Sequence, residues 1–151
     1  MSALSAFVGA VGTWRAAYAL RDPANALSCD SESRATLTPV LGGRFVRLDY
    51  TWGFKGAPQE GSLLVGVEQA TGVATVAWID SFHNGDRLMP CTGTAEAGVV
   101  DVRGTYPAPP GPDWGWRTQL TAAPGRLSMV MFNITPDGHE ELAVDAHYRR
   151  A

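Results

Sequence analysis

The sequence predicts an all-β protein, an antiparallel up-and-down barrel of about ten strands with a short N-terminal helix. Turn signals rich in glycine, proline, asparagine and aspartate recur roughly every 12 residues along the chain. The segments between these turns are rich in valine, leucine, threonine and aromatic residues, as strands are. Hairpins that follow one another without a helical crossover form a meander, which loses its exposed edges by closing on itself.

The helix is expected within residues 2–11, and the ten strands follow it one hairpin at a time. Alternation is clearest in the seventh strand, where Val100, Val102 and Tyr106 share one face and polar side chains occupy the other. One face of that strand is therefore expected to contact water. The expected strands are 12–21, 31–40, 43–54, 60–69, 73–82, 87–95, 99–106, 114–122, 126–135 and 139–149.

Length, composition and charge limit the classes of protein to which this chain can belong. A chain of 151 residues with 45% hydrophobic and 18% charged residues is expected to form one domain, spanning 1–151. No stretch approaches the roughly twenty apolar residues of a membrane span, so membrane insertion is not expected. The net charge of −3, with scattered arginines, argues against a nucleic-acid partner. Without a basic region before its apolar N-terminus, the chain is expected to be cytoplasmic, with Cys29 and Cys91 as free thiols.

The two ends of the predicted barrel carry a recognisable pair of motifs, Gly12-Thr13-Trp14 and Tyr148-Arg149-Arg150. This pair resembles the signature of lipocalins and other calycins, in which a tryptophan closes the barrel floor and a late arginine packs across its ring. The resemblance implies structural roles for Gly12, Trp14 and Arg149. An arginine in that place stacks on the indole and donates hydrogen bonds to nearby carbonyls.

Three internal segments, 41–45, 61–66 and 77–81, resemble the blocks of an uncharacterised bacterial family with a lipocalin-like barrel. That resemblance implies a fold but no activity. A ten-stranded barrel is also similar to fatty-acid-binding proteins and to nitrobindin-like haem barrels, so haem is a minor alternative and no other cofactor is expected. However, alternation places His147, the candidate axial ligand, outside the barrel. The spacing of the three histidines predicts no metal site.

The leading functional hypothesis is that the barrel binds a small hydrophobic or aromatic molecule. Five tryptophans are present, and aromatic walls suit such a ligand, although the same side chains could simply fill the barrel. The proline-rich tract 106–116 is interpreted as a portal loop over the cavity, or as a rigid connector. The candidate ligand-binding residues are Arg47, Tyr50, Trp52, Trp78, Asp80, Trp116, Met129, Met131 and Asn133.

A second hypothesis makes the cavity an enzyme site. Asp80 is expected to share an apolar face with Val76 and Trp78, and it could act with His83 as an acid/base pair in isomerisation, cyclisation or hydrolysis. A buried carboxylate needs a partner, and Arg47 and Arg117 are the other candidates. Alternatively, Asp80 faces solvent.

A third hypothesis is a filled barrel that acts through its outer surface. Residues 127–132 are apolar on both faces, a pattern that also suggests a homodimer.

Overall fold

The computed structural model describes residues 3–151 as a closed antiparallel barrel preceded by one short helix. Of the predicted helix segment, Ser2 lies outside the described residues, and the helix itself is shorter than predicted. Within residues 3–151, no helix is long and apolar enough to cross a membrane. The elements are α1 (Ser5–Val8), β1 (Gly12–Asp22), β2 (Leu27–Val40), β3 (Phe45–Phe54), β4 (Ala57–Val67), β5 (Val73–Asp80), β6 (Met89–Glu96), β7 (Val99–Tyr106), β8 (Trp114–Ala123), β9 (Arg126–Ile134) and β10 (Glu140–Arg150).

Every strand pairs with its neighbours in the chain, and β1 pairs with β10 to complete the ring. The closing register joins Trp14 to Arg150 and Leu20 to Val144. Closure gives each strand two hydrogen-bonded neighbours, so the meander has no unpaired edge. The predicted class, an all-β up-and-down barrel of ten strands, is confirmed.

Two strands begin earlier than predicted because their hairpins are tighter. A single 3₁₀ turn at Pro23–Asn25, followed by Ala26 in the left-handed region (φ 51°), connects β1 to β2, so β2 already begins at Leu27. Lys55 and Gly56, with φ values of 48° and 83°, make a two-residue turn that lets β4 begin at Ala57. Two positive φ values in a two-residue loop are typical of tight hairpins.

One end of the barrel is closed by side chains and by α1. Leu4 and Phe7 are almost completely buried against the barrel, together with Trp14. The middle of the barrel is also filled, since Tyr18, Met129 and Met131 have no exposed surface. The other end, where β5 turns into β6 and β7 leads into the proline-rich loop, remains open. The barrel is therefore filled at its closed end and in its middle, as the filled-barrel hypothesis expects, but not at its open end.

The outer face of β9 is less exposed than its sequence suggests. Val130 and Phe132 point outward and are half-buried within the chain itself. The guanidinium carbon of Arg117 lies 5.3 Å from the centre of the Phe132 ring, so the arginine covers that ring. Part of the apolar surface of residues 127–132 is thus buried by this chain itself, without a second subunit.

Candidate functional site

A pocket of about 520 Å³ occupies the open end of the barrel. Its volume falls in the range of small-molecule sites, roughly 300–1,000 Å³. Its wall comes from the end of β1, the β5–β6 turn, the start of the β7–β8 loop and the β9–β10 hairpin. The lining residues are Leu20, Arg21, Asp22, Pro23, Leu27, Trp78, Phe82, His83, Asn84, Arg87, Leu88, Met89, Thr105, Tyr106, Pro107, Pro109, Trp116, Asn133, Glu141, Leu142 and Ala143.

The β5–β6 turn is held by Asp80, the last residue of β5. One carboxylate oxygen, Oδ1, accepts hydrogen bonds from the backbone N–H groups of Phe82 (2.8 Å) and His83 (3.0 Å). An aspartate that bonds the backbone two residues on is a common way to fix a turn. The fixed turn then places the His83 ring over the barrel opening.

The other carboxylate oxygen of Asp80 connects the turn to β3. Oδ2 accepts hydrogen bonds from the Tyr50 hydroxyl (2.6 Å) and from Trp52 Nε1 (3.2 Å). Trp78 Nε1 donates to the same hydroxyl at 3.0 Å. Burial and the nearby Asp80 charge raise the pKa of Tyr50 well above its usual value, so the phenol stays a donor. Asp80 is thus a buried carboxylate with four donors, which satisfies its charge without a cation.

A glycine makes this network possible. Tyr50, Gly61 and Asp80 are register partners across β3, β4 and β5, so Gly61 lies between the phenol and the carboxylate. A Cβ atom at Gly61 would overlap the Tyr50 ring and hydroxyl. The Tyr50 side chain can therefore lie flat across the sheet and reach Asp80 only because residue 61 has no side chain.

His83 is enclosed by aromatic rings. The centre of its ring lies 5.8 Å from that of Trp52, 5.6 Å from Trp78 and 5.1 Å from both Trp116 and Phe82. Desolvation in this cage lowers the pKa of His83 below its usual value, although Asp80 and Asp22 act in the opposite direction. The imidazole is therefore neutral at neutral pH.

Buried polar atoms without a partner concentrate at the pocket. Within residues 3–151, five buried side-chain nitrogen or oxygen atoms lack a hydrogen bond, and three of them belong to pocket-lining residues: His83 Nε2, Asn84 Oδ1 and Trp116 Nε1. The other two are Tyr18 Oη and Thr118 Oγ1. Buried polar groups are nearly always paired in folded proteins, and an unpaired one costs about 1–3 kcal/mol.

The structure divides the predicted ligand-binding residues into three groups. Trp78, Trp116 and Asn133 line the pocket. Tyr50, Trp52 and Asp80 form the hydrogen-bond network beneath the β5–β6 turn. Met129 and Met131 are fully buried in the core, outside the pocket lining.

The prediction for Arg47 was wrong. Val46 and Leu48 are buried inside the barrel, so alternation directs Arg47 outward, where its side chain is 49% exposed and pairs with Asp49 at 2.9 Å. It cannot contact a ligand in the pocket.

The proposed acid/base pair is not joined by a hydrogen bond. Asp80 contacts the backbone N–H of His83, and no described residue bonds His83 Nε2. Arg117, another predicted partner of Asp80, instead binds Asp101 on the outer face at 2.7 Å. The carboxylate therefore positions the turn that carries the histidine. His147 is 71% exposed and lies 2.7 Å from Asp145, outside the barrel, as alternation predicted.

At the closed end, the predicted arginine is shifted by one residue. Arg150, not Arg149, places its guanidinium carbon 4.3 Å from the centre of the Trp14 ring. It donates to the carbonyls of Gly9, Ala10 and Val11. Arg150 is the register partner of Trp14, whereas Arg149 pairs with Arg15 and is exposed. A Cβ atom at Gly12 would lie 2.6 Å from Arg150 Nη1, so the glycine makes room for the guanidinium.

Sequence reasoning missed Glu141, although it lines the pocket. Asn133 is its register partner and shares its face. A β-bulge between Leu142 and Val144 breaks the alternation, so Glu141 and Val144 both point inward although they differ in parity. Asn84 was missed because a turn has no periodicity. Within residues 3–151, no group of three or more histidine, cysteine or acidic side chains could hold a metal ion, and both cysteines are free.

A closed ten-stranded barrel with a pocket at one end and a tryptophan–arginine closure at the other defines a calycin-like barrel protein. A family model described as "Protein of unknown function (DUF1579)" matches residues 4–150, and the chain belongs to that family.

The solved structure of Rv2717c from M. tuberculosis superposes with a TM-score of 0.68 at 14% sequence identity, covering 100% of this chain and 98% of that one. At this identity, the likeness shows the fold alone. No curated protein matches the sequence.

Proposed function

We propose that this protein binds a small, largely aromatic molecule in the pocket at the open end of the barrel. The observation that carries the proposal is the set of unpaired buried atoms, His83 Nε2, Asn84 Oδ1 and Trp116 Nε1, on an aromatic wall. A ligand with hydrogen-bonding groups would pair them after a small rotation of these side chains, which removes the energetic cost of leaving them unpaired. The rings of Trp78, His83 and Trp116 in the lining pack against one another, and such an aromatic surface favours a ligand that stacks on it.

The rim of the pocket supports the same proposal. Phe82, Leu88 and Leu142 line the mouth and remain 39%, 54% and 37% exposed. Exposed apolar side chains gathered around a concave site indicate a place where an apolar surface is buried on binding. Burying this surface would contribute about 25 cal/mol per Å² of apolar area.

A neutral fluorescent probe tests the proposal. N-phenyl-1-naphthylamine is titrated into the wild-type protein, where we expect saturable binding with one site per chain. Leu88→Asp puts a charge on the rim at an exposed position and should weaken binding about tenfold, since it removes one buried leucine contact. Leu64→Asp is the matched control, because Leu64 is also exposed (38%) but lies on the outer wall of β4, away from the pocket.

The expected result is that Leu64→Asp binds within about twofold of the wild type. Absence of saturable binding to the wild-type protein, or equal loss in both variants, would contradict a site at the barrel mouth.

A further inference from the structure

One wall of the pocket carries three polar side chains side by side. Trp116, Asn133 and Glu141 are register partners across β8, β9 and β10, and all three line the pocket. Register partners in an antiparallel sheet point to the same face, and adjacent strands lie about 4.8 Å apart. These three side chains therefore leave the sheet on the same face, each beside its neighbour.

The first two members of this row offer donors. Trp116 Nε1 can only donate, and it has no partner within the described residues. The Tyr106 hydroxyl donates to Asn133 Oδ1 at 2.5 Å, so that amide oxygen already has one donor. The Asn133 amide N–H groups remain to bind a ligand. Because both side chains have donors without a partner among residues 3–151, the group that suits this part of the wall is a ligand oxygen that accepts.

The third member is a carboxylate, which can only accept when ionised. The Glu141 side chain is 19% exposed, and its Oε1 lies 4.0 Å from the ring of the exposed His139. A ligand group beside Glu141 should therefore carry an N–H or O–H. A ligand carboxylate would instead meet a like charge in a partly desolvated site.

The charged residues elsewhere in the pocket lining do not produce a strong positive or negative electrostatic field. Arg21 is engaged by Asp30 at 2.6 Å, and Asp22 accepts a hydrogen bond from Asn25 at 2.7 Å. Arg87 lies at the exposed rim. His83, whose ring centre lies 5.1 Å from that of Trp116, is neutral at neutral pH because desolvation lowers its pKa. An uncharged ligand fits this balance.

We propose that the ligand is an uncharged aromatic carboxamide or lactam, whose carbonyl oxygen accepts from Trp116 and Asn133 and whose N–H donates to Glu141. This inference rests on the proposed function, since it assigns chemistry to the same pocket. The aromatic part would stack among the Trp78, His83 and Trp116 rings, and the amide edge would face the row.

Four probes with one naphthalene frame test this assignment: 2-naphthamide, methyl 2-naphthoate, 2-naphthoate and 2-methylnaphthalene. Their dissociation constants are measured at neutral pH by quenching of tryptophan fluorescence. We expect 2-naphthamide to bind the wild-type protein about three- to tenfold more tightly than 2-methylnaphthalene, as paired hydrogen bonds allow. The ester, which lacks the donor, should lie between them, and 2-naphthoate should bind most weakly.

Three variants test whether the differences in probe affinity arise from the row of Trp116, Asn133 and Glu141. Glu141→Gln keeps an acceptor but removes the charge, so 2-naphthoate should gain at least about fivefold while 2-naphthamide changes by less than about threefold. Trp116→Phe keeps a ring but removes the donor, so the advantage of the amide over 2-methylnaphthalene should shrink. Glu140→Gln is the control, because Glu140 is on the outer face near Arg117 (3.4 Å) and should change neither ratio.

The outcomes separate the two proposals. Equal binding of all four probes, or 2-naphthoate binding as tightly as 2-naphthamide, would overturn the assignment of an amide while leaving an aromatic pocket in place. An unchanged affinity for 2-naphthoate in Glu141→Gln would also overturn it. If 2-methylnaphthalene and 2-naphthamide both fail to bind the wild-type protein, the proposed function fails as well.

Discussion

The two ends of the barrel differ in how completely their buried polar groups are paired. At the closed end, Trp14 Nε1 donates to the carbonyl of Ala10 at 2.8 Å, and Arg150 bonds three further backbone oxygens. At the open end, Trp116 Nε1 and His83 Nε2 are equally buried and have no partner in the described chain. Trp52 and Trp78 near the open end are paired through Asp80 and Tyr50, so the contrast with Trp14 concerns Trp116.

This difference indicates what each end contributes. Paired donors and the guanidinium over the Trp14 ring at the closed end lower the free energy of the folded chain with no ligand present. Unpaired groups at the open end cost stability until something binds them, as binding sites commonly do. The closed end is therefore expected to dominate stability and the open end to dominate recognition.

The largest expected effect compares one substitution at both ends. Trp14→Phe removes the hydrogen bond to Ala10 and the indole under Arg150, and it should lower the unfolding free energy by about 2–3 kcal/mol. Trp116→Phe removes a donor that has no partner, so it should cost about 1 kcal/mol or less. Urea unfolding of both variants measures the difference. Equal losses would show that the two ends do not differ in this way.

A smaller effect tests the arginine at the closed end. Arg150→Met keeps an apolar stem but removes the guanidinium that faces Trp14, and it should cost about 1–2 kcal/mol. Arg149→Met, one residue earlier and exposed, should stay within about 0.5 kcal/mol of the wild type. Urea unfolding would contradict the structural assignment if Arg149→Met were the more destabilised variant.

The smallest expected effect is a pH dependence from the open end. Because the folded-state pKa of His83 is lowered, the unfolded chain binds a proton that the native chain does not, starting near its unfolded pKa of about 6.5. Stability from this group is complete above that pH and falls as pH drops toward the folded pKa. His83→Phe should remove this part of the slope when urea unfolding is compared from about pH 8 to pH 5. If the unfolding free energies of the wild type and of His83→Phe change with pH in parallel, the lowered pKa of His83 is contradicted.

Local patterns in the sequence predicted most of the barrel. Alternation in β7 correctly placed Val100 and Val102 inside, and glycine-containing turns located most strands to within a few residues. The β1–β2 turn contains no glycine, and β2 begins four residues earlier than predicted. The same reasoning places Arg47 outside, since its neighbours Val46 and Leu48 face the core. The assignment of Arg47 to the ligand failed because a positive charge does not by itself place a residue inside the barrel.

The site was harder to predict, because it depends on register between strands. Glu141 faces the pocket only because a bulge follows it, and a bulge leaves little trace in the sequence. The sequence left two placements of Asp80 open, and the structure has the inward one, on the apolar face. Its partners come from β3 across Gly61 and from its own turn. Sequence proximity suggested a pair with the His83 ring, whereas the carboxylate reaches only the His83 backbone.

The sequence alone determined the class of fold, because strand alternation and turn chemistry act over a few residues and repeat along the whole chain. It also determined that the barrel would be rich in inward-facing tryptophans. Only the tertiary structure decided which end is open, which of Arg149 and Arg150 meets Trp14, and which polar atoms remain unpaired at the mouth. Those features arise where strands far apart in the chain meet, and their register is set by closure of the whole barrel.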